Sequence, residues 1–134
     1  MNAATRWTIA EIGRVLYTHA LDPTPVAAAL GVALAMLDAC GRDSDVHADA
    51  GRTIDEQAAA LVLNILVRVE TRCTGDTVAI AAALLRPHEA LDGGSLAEGL
   101  AAGPDLTALR ALREAAGTMP EPRVRMWRTA DRYS

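Results

Sequence analysis

Phenylalanine and lysine are both missing from this chain of 134 residues, and aromatic side chains make up only 3% of it. Strands favour aromatic and β-branched residues, whereas alanine is the best helix former. With Ala, Leu and Val supplying most of the apolar volume, the composition points to helices. Cysteine is nearly absent too: Cys40 and Cys73 stand far apart with no CxxC pair, which excludes the usual metal and redox spacings. No apolar run approaches membrane-spanning length, since charge or glycine interrupts each candidate. The first residues, Met1 to Trp7, lack the apolar stretch of a signal peptide. Free thiols without an export signal suit a reducing cytoplasm, which is the expected location.

Half of the residues (51%) are apolar, enough for one buried core in a chain of this length. All thirteen basic residues are arginine, against seventeen acids, a formal net charge of −4. Such a balance argues against bulk electrostatic attraction to nucleic acid or an anionic membrane. The basic groups concentrate at the C-terminus, where Arg123, Arg125, Arg128 and Arg132 face only Glu121 and Asp131.

Helix starts and stops are well marked. Thr8-Ile9-Ala10-Glu11 has the form of a capping box, in which a hydroxyl and a carboxylate each satisfy an orphan backbone N–H. Thr53-Ile54-Asp55-Glu56 and Ser95-Leu96-Ala97-Glu98 repeat it. Thr24 followed by Pro25 reads as a cap and first helical residue, and Gly31 as a stop. Apolar residues at helical spacing predict helices near 8–20, 25–30, 33–40, 53–73, 76–86, 95–102 and 104–117. No segment alternates with period two, and no internal repeat is present. The expectation is an all-α protein, a small helical bundle. It is divided into a helical unit over 1–52, a helical domain over 53–119 and a basic tail over 120–134.

The stretch Leu85-Arg86-Pro87-His88-Glu89-Ala90-Leu91-Asp92-Gly93-Gly94-Ser95-Leu96-Ala97-Glu98-Gly99-Leu100-Ala101-Ala102-Gly103 resembles the signature of the toxin-binding domain of Xre/MbcA/ParS antitoxins. Pro87, Leu91, Gly93, Leu100 and Gly103 occupy matching positions, and the predicted helices 53–73, 76–86 and 104–117 fall where that family has them. His88 stands where the family usually has Asn, and Leu96 where it usually has Pro. An Asn there would cap the turn through its side chain, which His does only in part. The resemblance implies a protein that neutralises a toxin by binding it, with a partner of the RES-domain type, toxins that consume NAD. The signature loop and last helix, including Leu109, would then form the docking surface.

That family pairs the domain with an N-terminal helix-turn-helix, and Pro25 to Val32 has the Ala-x-x-Leu-Gly-Val flavour of one. The following segment, Ala33-Leu34-Ala35-Met36-Leu37-Asp38, offers nothing to meet base edges or phosphates. The N-terminal unit is therefore expected to serve packing or dimerisation, with its DNA-binding chemistry lost. A helix-turn-helix regulator is the alternative reading, and a small helical enzyme using arginines a more distant one.

Other candidates for chemistry are sparse, and no cofactor or metal is expected. The acidic run Asp43 to Asp49 lacks the Gly and bidentate acid of a calcium loop, so it reads as a solvated loop. His19 lies at a helix end, where a protonated imidazole suits the dipole. His88 lies in the signature loop, and neither histidine has a nucleophile near it in sequence. Arg68 and Arg72, one turn apart, are expected to be a surface pair. In the tail, Arg123-Val124-Arg125-Met126-Trp127-Arg128 mixes guanidinium groups with a large apolar anchor, the residue types enriched at binding hot spots. The expected partner-binding residues are thus Pro87, His88, Leu91, Gly93, Leu100, Gly103 and Leu109, joined by Arg123, Arg125, Trp127 and Arg128. The assembly expected is a homodimer or a hetero-oligomer with the toxin.

Overall fold

The computed structural model describes residues 3–33 and 55–118. Within them the fold is all-α: α1 (Ala3–Thr18), α2 (Thr24–Leu30), α3 (Glu56–Arg72), α4 (Thr77–Leu85), a 3₁₀ turn (Glu89–Leu91), α5 (Leu96–Ala101) and α6 (Leu106–Gly117). The predicted helix 33–40, the acidic loop 42–52 and the tail 120–134 lie outside the described residues, apart from Ala33.

The local signals mark these helices, but the starts of α1, α2, α3 and α6 differ from expectation. α1 begins five residues earlier than the Thr8 capping box implies. Thr8 sits inside the helix, where its hydroxyl donates to the Ala4 carbonyl at 2.9 Å, and Glu11 pairs with Arg14 Nε at 3.1 Å. Ala3 and Ala4 favour helix, and buried Thr5 fastens that first turn to the protein. The entry to α2 is held by Asp22, whose carboxylate accepts from the Thr24 N–H at 3.0 Å; Thr24 itself is already helical. At α3 the cap is Asp55, accepting from Gln57 and Ala58 N–H; Thr53 lies outside the described residues. Ser95 and Glu98 form the expected reciprocal box at 2.9 and 3.1 Å. Asp105 caps α6, which therefore starts at Leu106 rather than 104. Gly31 ends α2 with φ +71°, and a Cβ there would press on the Pro104 ring at 3.3 Å. A left-handed, crowded position of this kind suits glycine.

α3 is the central helix. Ala58, Leu61, Val62, Ile65, Leu66 and Val69 are buried along it, with α1 packed on one side and α6 on another. α1 contributes Ile9, Ile12, Val15 and Leu16; α6 contributes Leu109, Leu112, Ala115 and Ala116. α2 lies against α5 and α3, so residues 9–30 and 58–116 share one hydrophobic core. Each fully buried Ile or Leu stabilises the fold by roughly 1.5–3 kcal/mol. The close approach of α5 to α6 depends on Gly99, where a Cβ would collide with Leu112.

Candidate partner-docking surface

The segment Thr77-Val78-Ala79-Ile80-Ala81-Ala82-Ala83-Leu84-Leu85 carries no charge and no polar face beyond Thr77. It becomes helical because Asp76 caps it, accepting from Val78 and Ala79 N–H at 3.0 and 3.2 Å. It stops at Arg86, whose extended backbone is what a following proline requires. A helix apolar all round is normally buried all round. In α4 only Ile80 and Ala83 are buried, while Val78 is 78% exposed and Leu85 70% exposed. Val78, Ala82 and Leu85 project outward along one stripe, since residues four and seven apart share a helix face.

Beside that stripe an apolar groove of about 140 Å³ opens between α1, α2, α4 and α5. Leu16, Leu21, Val26, Leu66, Leu84 and Leu100 supply most of its wall, with Asp22 the one charged residue on it. Leu85 belongs to both features, so groove and stripe form one continuous apolar surface. A continuous apolar surface with one charged residue on its rim is a candidate docking site.

The signature loop leads directly out of α4. Its turn is closed by backbone: the His88 N–H donates to Gly94 O at 2.8 Å, and Leu91 and Gly93 N–H both donate to His88 O. Asp92 and Gly93 complete it at φ +56° and +86°. No side-chain cap closes this turn; backbone hydrogen bonds do. Among the described residues neither imidazole nitrogen of His88 has a hydrogen-bond partner.

No known family, curated protein or solved structure matches this chain.

The structure separates the expected docking residues into three groups. Pro87 and Gly93 are exposed, and His88, Leu91 and Gly103 are half-buried, with Leu91 packed against the core. Leu100 and Leu109, by contrast, are 1% and 0% exposed. They are core residues of α5 and α6, and neither is available to a partner except where Leu100 reaches the groove wall. Leu109 falls on the buried face of α6 with Leu112, Ala115 and Ala116, packed on α3, and Leu100 lies where α5 packs on α2. Arg123, Arg125, Trp127 and Arg128 lie outside the described residues.

A cluster of polar side chains lies at the junction of α1, α3 and α4. His19 is 5% exposed; its Nε2 lies 2.7 Å from Glu70 Oε2 and its Nδ1 lies 2.9 Å from Thr77 Oγ1. Arg14 Nη2 approaches the other Glu70 oxygen at 3.5 Å. The hydrogen bond from His19 holds the Glu70 carboxyl below its ordinary pKa, with Arg14 adding to the effect against partial burial. Hydroxyl, imidazole and carboxylate in series are also the wiring of a nucleophilic triad. The Val78 and Ala79 amides next to Thr77 are already taken by Asp76, so they are not free to stabilise an oxyanion. The geometry supports a clamp joining three helices.

Arg68 is no surface anion site: Nη1 donates to the Arg113 carbonyl at 3.0 Å, tying α3 to α6. Cys73 is buried at the end of α3, and desolvation raises its thiol pKa. Among the described residues no group of three His, Cys, Asp or Glu could hold a metal ion. No helix there is long and apolar enough to cross a membrane.

Sequence reasoning missed the exposure of Val78 and Leu85, because a helix without a polar face carries no signal of which residues stay uncovered.

Proposed function

We propose that this protein is an antitoxin-like binding protein that neutralises a partner toxin by direct contact, the partner being an NAD-consuming toxin of the RES-domain type. The observation that carries the reading is the uncharged surface running from the outer face of α4 into the groove, immediately before the signature loop. Pro87 extends it, and Leu91 supports the loop from beneath. Docking here would bury apolar area already exposed, with little rearrangement of a loop closed by its own backbone.

The experiment is co-expression with the product of a neighbouring toxin gene, scored by rescue of growth and by copurification. Loss of both when Leu85→Glu is introduced into the folded protein supports the surface. Full rescue by that variant, with normal complex formation, overturns it.

A second reading, a helix-turn-helix regulator, draws on α2 and its left-handed stop at Gly31, which turns the chain as such motifs do. Titration with the promoter of its own operon tests it.

A further inference from the structure

The groove beside α4 is closed at its inner end. Leu16, Val26, Leu66 and Leu100 wall it there, none more than 7% exposed, while half-buried Leu84 and exposed Leu85 stand at its mouth. A recess with that shape does not fit a flat partner surface. It fits one side chain inserted from outside, the form that binding hot spots commonly take.

Its size selects the side chain. At about 140 Å³ it approaches the roughly 150 Å³ at which an apolar cavity accepts benzene. A phenyl ring fills such a space, whereas a methyl group leaves most of the wall without contacts. This chain has no Phe, so a Phe ring there belongs to another protein.

Charge selects the neighbour of that ring. Asp22 is the one charged residue on the wall, and no basic side chain lines it. The Thr24 N–H holds the Asp22 carboxyl below its ordinary range, so it is ionised at neutral pH. The side chain is exposed, and a carboxylate with about four lone-pair sites keeps room for a cation after accepting from Thr24. An anionic group beside the ring would be repelled.

We infer that the groove is an anchor pocket for one Phe side chain of the partner toxin, with an Arg or Lys beside that Phe pairing with Asp22. The partner's identity rests on the antitoxin reading; the pocket's chemistry rests on the groove alone.

Amide NMR of the full chain, titrated with 2-phenylethylammonium, 2-phenylethanol, 3-phenylpropanoate and ethylammonium, tests this. The ring-bearing cation is expected to shift the amides of Leu21, Ala81, Leu84 and Ala97 with a Kd on the order of 1 mM. The alcohol should bind about two- to fivefold more weakly, the worth of one exposed ion pair, and the carboxylate more weakly still. Ethylammonium, which has no ring, should leave those amides unshifted. Asp22→Asn, which can still accept from the Thr24 N–H, should remove the preference for the cation and leave binding of the alcohol unchanged. Ala81→Leu, which fills the groove from its own wall, should weaken every ring-bearing probe about tenfold. Absence of shifts at the groove, equal binding of cation and carboxylate, or unchanged ring binding by a folded Ala81→Leu chain overturns the proposal. So does tighter ring binding by a chain ending at Met119, because the protein's own tail would then be the occupant. These probes contain no toxin, so they judge the pocket while co-expression judges the antitoxin reading. A folded Ala81→Leu chain that excludes the ring yet protects fully would take the pocket out of the toxin contact and leave that reading standing.

Discussion

The imidazole of His19, just past the end of α1, is 2.7 Å from the Glu70 carboxylate on α3, and its other nitrogen is 2.9 Å from the Thr77 hydroxyl on α4. One buried side chain thus ties the first helix to two others. A hydrogen bond to a charged group in such a setting contributes about 1.5–3 kcal/mol. Because Glu70 is held below its ordinary pKa of 4.5 in the folded protein, its contribution is present above that value. It is lost as pH falls through the lower folded pKa, where the unfolded chain already binds the proton more readily. Glu70→Gln should therefore cost about 2 kcal/mol near neutral pH and flatten the decline in stability below about pH 4.5. Thermal melts from pH 3 to 7 on both proteins are the measurement; parallel profiles would refute the clamp.

Leu91 and Leu100 should part company when each is changed to Asp. Leu100 is 1% exposed, so an unpaired carboxylate there should unfold the protein or lower Tm steeply. Leu91 is only half-buried, and its variant is expected to remain folded but bind the toxin less well. Circular dichroism and a pull-down, run together, distinguish the two outcomes. Full toxin protection by folded Leu91→Asp would remove the signature loop from the docking surface.

Gly99 should resist enlargement. A Cβ at that position collides with Leu112, itself 3% exposed in the core. Gly99→Val is expected to destabilise the fold by roughly 1–3 kcal/mol through overpacking. Urea denaturation provides the check, and an unchanged midpoint would show that α5 and α6 can separate freely.

The tail calls for a truncation. We propose that Arg123, Arg125 and Arg128 pair with acidic groups at the rim of the toxin's pocket while Trp127 fills its apolar slot. A chain ending at Met119 should keep its docking affinity and inhibit less strongly. Equal inhibition by the truncated and full chains would remove the tail from the mechanism.

DNA affinity should be low at physiological salt. The first 52 residues hold four arginines against six acids, and 33–38 carries no base-reading side chain. Mobility shift with the operon promoter checks this. Nanomolar, sequence-specific binding lost on mutating residues 33–40 would favour the regulator instead.

Much of this protein was legible without its structure. Helical class followed from alanine and leucine at helical spacing, and the Ser95–Glu98 box marked a helix start because capping is a local hydrogen-bond problem. The stripe Ile9, Ile12, Val15 and Leu16 named its own buried face, since a polar face opposed it. The Thr8 box failed because the same residues can also sit inside a helix once Ala3 and Ala4 extend it.

Tertiary structure decided what periodicity leaves open. A helix without a polar face, such as α4, has no spacing that tells covered from uncovered residues, so the exposure of Val78 and Leu85 depended on where α5 and α3 pack. Leu100 and Leu109 are covered because α5 packs on α2 and α6 on α3, contacts between separate helices. His19 found Glu70 and Thr77 across 51 and 58 residues of chain. Side chains that far apart meet only after the helices between them have packed. Local sequence therefore set the helices, and long-range packing chose which of their faces stayed exposed.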